Sequence, residues 1–366
     1  MGRMIADKEF ILQLVRLGIG HGDPERVFMP EKVKWGRIKG SAVTHGLTAV
    51  ILDGIGKLQE RFPDGAFPSE KLTAWWIGEV MHCYEFRYDR YVAAVGELAA
   101  FYRQHGLKMM LLKGYACSLN WPRPNHRPLG DMDIWMFDRY QEADRLLETE
   151  KGIPVDTSDH HHTVFQWNGF WVENHYDFLN VHHHQSNVAF EAILKPLARD
   201  DSHTVEVAGE TVCIPSPLLH ALFLLRHSIV HFTAKGINLR ILLDWAFFVK
   251  AHTREIDWPR LEAILDQFGM KPIYQLFNAI CVEDLGFDAA LFPVCAVDPP
   301  LKERVLDDIL EPEFPNDEPK NRARRAVFKL RRWNHNKWKR DLSYKESGLS
   351  SLWHGVVSHL MKPGTI

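Results

Sequence analysis

Little in this chain supports a disulfide framework. Its five cysteines, Cys83, Cys117, Cys213, Cys281 and Cys295, are odd in number and scattered through 366 residues, with no Cys-x-x-Cys pair. That argues against a disulfide framework and a zinc site, and for a reducing compartment. Long apolar runs are missing too. None approaches 18 residues, and Met1 to Glu9 lacks the apolar core of a signal peptide. The sequence therefore predicts a cytoplasmic protein without a transmembrane segment. Net charge is only −3, so any nucleic-acid or membrane signal must be local rather than global. Repeats and low-complexity segments are absent.

What remains is an ordinary globular composition, 46% hydrophobic and 25% charged, with room for two or three packed units. Residues 6–62 read as short helices broken by glycine and proline, Asp7 to Leu17 and then Lys32 to Arg61. Ser69 can cap and Gly106 can end a long helix between them. Apolar residues recur there at three- and four-residue spacing: Leu72, Trp75, Trp76, Val80, Tyr84, Tyr88, Tyr91, Val95, Leu98 and Phe101. Such a stripe is the core face of a packed helix.

The informative stretch is 107–134. An apolar strand, 107–113, ends in Lys113-Gly114; a short helix is predicted at 114–120, where backbone N–H groups at its start favour phosphate. A proline-rich loop leads to a second strand, 129–137, carrying Asp131 and Asp133. In a strand these two point the same way, about 6.5–7 Å apart, and hard carboxylate oxygens that close suit Mg²⁺. Asp138 to Glu150 then reads as a helix. A hairpin follows, with arms 162–167 and 170–178 around Asn168-Gly169, and Glu173, His175 and Asp177 are expected on one face of its second arm. Asn187 to Arg199 reads as a helix, 204–214 as a smaller hairpin, and Leu218 to Phe232 as a strongly apolar helix opened by Pro215-Ser216-Pro217. Consecutive histidines in a strand face opposite ways, so His160-His161-His162 and His182-His183-His184 read as loop histidines at hairpin ends rather than one metal cluster.

These residues resemble the uncharacterised nucleotidyltransferase family of the polymerase-β-like superfamily. The resemblance rests on Leu112-Lys113-Gly114-Tyr115-Ala116, on Arg127-Pro128-Leu129-Gly130-Asp131-Met132-Asp133-Ile134, on Glu173-Asn174-His175-Tyr176, and on the helical Leu-Arg-x-x-x-Asp element at Leu239, Arg240 and Asp244. It implies an α+β protein with a small mixed sheet: an N-terminal helical region (1–105), a nucleotidyltransferase core (106–215) and a C-terminal helical domain with a basic tail (216–366).

It also implies transfer of a nucleoside monophosphate from a nucleoside triphosphate such as ATP to an acceptor hydroxyl. Two Mg²⁺ ions would be held by Asp131, Asp133 and a third acid, assigned to Glu173 with Asp177 as the alternate. Lys113 would set its charge on the triphosphate. Arg127 is expected either to contact phosphate or to pair with Asp131. Gly114 and Gly130 would allow close backbone approach or serve as turn glycines. His175 would orient Glu173, move a proton, or pack as a hydrogen-bonded histidine. The superfamily's commoner Gly-Ser is here Gly114-Tyr115, and Ser118, one helical turn on, is not an assumed substitute.

The tail from Lys320 to Lys345 holds eleven Lys/Arg and one acid, Asp341, interleaved with Phe328, Trp333 and Trp338. It reads as a helix with a solvated basic face, with RNA binding through 320–345 as the functional alternative. Two rival functions stand beside nucleotidyl transfer: a catalytically inactive nucleotide sensor on the same fold, and an RNA-directed enzyme using this tail. The acceptor and the base are not specified by the sequence.

Overall fold

Six strands form one mixed sheet: β1 (Met110–Leu111), β2 (Met132–Trp135), β3 (His162–Trp167), β4 (Phe170–His175), β5 (Ser202–Val207) and β6 (Glu210–Pro215). Their order across the sheet is β3-β4-β2-β1-β6-β5. The pairs β2/β4 and β1/β6 run parallel, and the remaining neighbours run antiparallel. The computed structural model describes residues 2–182, 185–200, 202–314 and 317–345. His183 and His184 therefore lie outside the described residues, as does the tail beyond 345.

The Asn168-Gly169 turn forms as expected. Both residues take positive φ, 50° and 82°, the turn geometry whose twist matches an antiparallel pair. The two site strands are shorter than predicted. β1 keeps only two laddered residues, although its bonding reaches outward: Cys213 N–H donates to Met109 O and Leu112 N–H donates to Asp133 O, both at 3.0 Å. β2 begins after Asp131 and ends before Phe137 and Asp138, whose positive φ of 51° and 66° turns the chain out of the sheet.

Helices surround this sheet. Before it come α1 (Gly2–Gly18), α2 (Trp35–Thr44), α3 (Thr48–Arg61), α4 (Glu70–Val80) and α5 (Phe86–Gln104). Within the core lie α6 (Tyr115–Ser118), α7 (Tyr140–Leu146) and α8 (Gln185–Asp200). After it come α9 (Pro217–Ala234), α10 (Leu239–His252), α11 (Trp258–Gln267), α12 (Lys271–Glu283), α13 (Pro299–Leu310), α14 (Arg322–His335) and α15 (Lys337–Asp341). No helix among the described residues is long and apolar enough to cross a membrane.

The predicted long helix 70–105 is one departure. It is interrupted at Met81–Glu85 by a wide π turn between α4 and α5. The extra residue shifts the apolar stripe around the axis. Trp76 is buried, but Trp75, expected inward, is 64% exposed and lies 4.1 Å under the Lys39 ammonium.

Strand alternation divides the core in two. Leu111, Met132, Ile134, Phe170 and Val172 pack with Tyr91, Val95 and Leu98 of α5 on one side of the sheet. Met110, Leu112 and Trp135 face the other way and join the cluster that contains α1, α3, α9, α10 and α12. Asp133 and Glu173, one residue out of phase with Met132 and Val172, project from this second side.

Candidate active site

The site begins with register. Asp133 on β2 lies directly beside Glu173 on the parallel strand β4. The Leu112 bond to Asp133 O brings the end of β1 alongside, and Lys113 Nζ reaches Asp133 Oδ1 at 2.7 Å. His175, two residues beyond Glu173, sits between the acids: its Nε2 lies 3.2 Å from Asp133 Oδ1 and 3.5 Å from Glu173 Oε2. The other ring nitrogen, Nδ1, lies 3.2 Å from the Asp177 carbonyl.

Asp131 is set by α5. Tyr91 Oη donates to Asp131 O at 3.1 Å, and Arg87 donates to Leu129 O and Gly130 O at 2.7 and 3.1 Å. Its carboxylate stands at the mouth of an open cleft of about 620 Å³ that Asp133, Glu173, Lys113 and His175 also line. The facing wall comes from α9 and α10 through His227, His231 and Arg240.

Charge is balanced inside this cleft. Burial opposes ionisation of Asp133, but the Lys113 charge and the His175 hydrogen bond outweigh it and hold the carboxyl well below the usual range. Burial likewise opposes protonation of His175, yet its bonds to Asp133 and Glu173 push the imidazole up to about 9, so it is cationic at neutral pH. Lys113 is raised because the Asp133 charge overcomes the cost of burial. Asp131 moves the other way. Burial and the neighbouring Asp133 raise its carboxyl, as expected of a like-charged pair. Glu173 is lowered, burial being offset by the His175 hydrogen bond.

The donor set fits a hard divalent cation. Asp133 and Glu173 each offer a carboxylate oxygen, lying with His175 within 4.8 Å of one another, and Asp131 adds a third carboxylate at the mouth; the cationic His175 orients these acids rather than binding such an ion.

Other expected residues are placed differently. Arg127 does not pair with Asp131. It is 4% exposed and forms a two-point bond to Asp244 of α10, Nε to Oδ1 at 2.7 Å and Nη2 to Oδ2 at 2.9 Å. Trp121 Nε1 donates to the same carboxylate at 2.9 Å, and Arg240 approaches it at 3.3 Å. Arg127 thus ties the Arg-x-x-Gly-Asp segment to the Leu-Arg-x-x-x-Asp helix.

Asp177, the alternate third acid, leaves the shared face because β4 ends at His175; it pairs instead with Lys195 at 2.5 Å. Gly114 has φ +55° and ψ −100°, a conformation costly for residues with a Cβ, whereas nothing lies within 4 Å of a Cβ built on Gly130. Ser118 is fully buried and donates to Tyr115 O at 2.7 Å, so it does not take the place of the missing Gly-Ser hydroxyl.

The family model of the uncharacterised nucleotidyltransferases matches residues 31–286. The chain belongs to this family. No curated protein matches it. Among solved structures, it is similar to an antigenic nucleotidyltransferase-like protein from Paracoccidioides brasiliensis at 15% identity and a TM-score of 0.34, over 56% of this chain and 97% of that one. At that score the likeness carries no weight.

In this family member the α9 histidines were hidden by their surroundings. His227 and His231 are four apart in an otherwise apolar helix, so the helix reads as core; their spacing, which puts both on one face, is the signal that was available. Their rings lie 4.4 Å apart. Burial and Lys113 hold both below their ordinary value, His231 at about 4.

The basic tail is folded onto the protein. Trp338 packs against Phe232 and lies under Arg304, Trp333 lies under Arg340, and Phe328 packs on Phe314. Lys339 is buried against Asp308 at 2.5 Å. Phe328, Trp333 and Trp338, the rings expected to stack on bases if this segment bound RNA, are each half-buried against these neighbours.

Proposed function

We propose that this cleft transfers a nucleoside monophosphate from a nucleoside triphosphate, ATP among the candidates, to an acceptor hydroxyl. One observation carries the reading: Asp133 and Glu173 stand side by side on parallel strands, with Lys113 bonded to the first and Asp131 at the mouth of the same cleft. Asp131, Asp133 and Glu173 would hold two Mg²⁺ ions, which when bound neutralise phosphate charge and stabilise the entering and leaving oxygens.

The chain's own groups do the rest. Lys113 places a fixed charge beside the phosphates. Arg240 supplies a cation from the opposite wall, while His227 and His231, neutral at pH 7, offer hydrogen bonds without adding charge. His175, cationic between Asp133 and Glu173, fixes the orientation of both carboxylates. The absent side chain of Gly114 leaves the backbone open to the ligand. The acceptor oxygen bonds to the α-phosphorus and gives up its proton to solvent in the open cleft; the bond from the α-phosphorus to the bridging oxygen breaks, and pyrophosphate leaves. Holding these partners in line is most of what such a site must do.

Pyrophosphate release tests the proposal, measured with each of the four ribonucleotides, Mg²⁺ and pooled acceptors from a soluble extract, RNA or protein. Release that requires both metal and acceptor is expected. Nucleotide binding without release, whatever the acceptor, would replace the enzyme with a nucleotide sensor.

A further inference from the structure

The three consecutive histidines do not alternate. Only His162 belongs to β3; residues 159–161 form a bend, preceded by the Asp156–Val164 bridge. Tyr176 and Asp177 both donate their backbone N–H to His161 O at 3.1 Å, which locks His161 onto the end of β4. His162 is the register partner of His175 across the hairpin. The rings of His161, His162 and His175 consequently converge, with centroids 4.3, 5.2 and 5.5 Å apart. The opposite-face reading fails for His161 and His162 because the strand starts between them.

We infer that His161, His162 and His175, together with Glu173, form a binding site for one imidazole-preferring divalent ion of the zinc class. One nitrogen from each of the three rings lies within 4.8 Å of the others. Along the cluster, His161 Nε2 is 3.2 Å from His162 Nδ1, His162 Nδ1 is 3.8 Å from Glu173 Oε2, and Glu173 Oε2 is 3.5 Å from His175 Nε2. Ligands held at about 2.0–2.2 Å on a tetrahedral ion are themselves about 3.3–3.6 Å apart, so these spacings are those of a site edge.

The surroundings also suit a metal site: one ring is held by a hydrogen bond of the kind that orients metal ligands, and an acidic side chain stands within ion-pair range of the other two. Asp159 lies behind two of the rings, its Oδ1 2.8 Å from His161 Nδ1 and its Oδ2 3.8 Å from His162 Nε2. The Asp177 carbonyl holds His175 Nδ1. In each ring the second nitrogen is left facing the common centre, where the ion takes the place of the His175 proton. Three imidazoles and one carboxylate select Zn²⁺ and its neighbours over Mg²⁺, which prefers oxygen alone.

The site shares Glu173 and His175 with the transfer cleft, but its test needs no nucleotide, so either reading can fail alone. Tag-free, EDTA-stripped full-length protein is titrated with Zn²⁺ and the bound metal is counted after dialysis. The expected result is one Zn²⁺ per chain, an affinity at least tenfold weaker in the double variant His161→Gln/His162→Gln, and no change in His203→Gln, an exposed histidine of β5. Equal stoichiometry and affinity in the double variant would overturn the site. Carbethoxylation of the wild-type protein gives a second reading that does not depend on the variant folding. Zn²⁺ should protect His161 and His162 while His203 reacts as before; equal reactivity with and without Zn²⁺ contradicts the proposal.

Discussion

Lys113 Nζ lies 2.7 Å from Asp133 Oδ1, and the two side chains are 19% and 2% exposed. They form a partly enclosed ion pair at the point where three strands meet, and His175 shares the same oxygen. Asp133 is therefore both a candidate ligand and the counter-ion that makes two buried cations tolerable.

This separates the two aspartates experimentally. Asp133→Asn leaves Lys113 and His175 without their anion and should destabilise the fold by about 3–5 kcal/mol. Asp131→Asn removes a carboxylate already disfavoured by its neighbour and should leave stability unchanged or slightly raised. Urea unfolding of the two variants distinguishes them. Both should lose Mg²⁺-dependent nucleotide binding, so Asp131→Asn is the informative variant for function.

The Arg127–Asp244 pair joins the sheet-bearing segment to α10 from deep within the protein. Asp244→Asn should cost about 3–5 kcal/mol, because it strands a buried guanidinium. The double variant Arg127→Met/Asp244→Leu should cost less than the sum of the two single changes. Additive costs in a double-mutant cycle by urea unfolding would show that the two side chains do not act as a unit.

Stability should also fall with rising pH because of Glu191. Burial, then the charge of Asp177, pushes this carboxyl up to about 7, and its Oε2 has no hydrogen-bond partner. Its folded value lies above the unfolded one, so the native state holds the extra proton. That contribution is complete below about pH 4.5 and is lost as pH rises through 7. Glu191→Gln keeps an acceptor for Leu179 N–H, which Glu191 Oε1 now binds at 2.6 Å, and carries no charge. It should raise the melting temperature at pH 8, by an effect on the order of 1–3 kcal/mol, and change little at pH 5. Equal effects at both pH values would mean that Glu191 titrates normally.

Local signals account for what was legible. Asn168-Gly169 fixes a hairpin because few other pairs accept two positive φ values, and that hairpin puts Glu173 and His175 on a known register. The Asp131/Asp133 alternation and the Lys113-Gly114 strand end are likewise short-range patterns, and the structure brings all four residues to one cleft. Long-range pairing was not legible. The carboxylate that claims Arg127 is 117 residues away, so Asp131, four residues off, was the visible candidate. The π turn at Met81–Glu85 has no local signature, and of the adjacent Trp75 and Trp76 in α4 only Trp76 reaches the core. Asp177 was lost to the expected face because β4 stops three residues early, where Tyr176 and Asp177 turn their backbone N–H groups to His161 O.

The most direct test of nucleotidyl transfer is where the label goes. The protein is incubated with Mg²⁺, an acceptor pool and a nucleoside triphosphate labelled at either the α- or the γ-phosphate, beside Asp131→Asn. The account predicts that α-label enters the product, γ-label leaves as pyrophosphate, and both events vanish in the variant while its fold persists. Transfer of γ-label to the acceptor, or α-label incorporation that survives in Asp131→Asn, would contradict it.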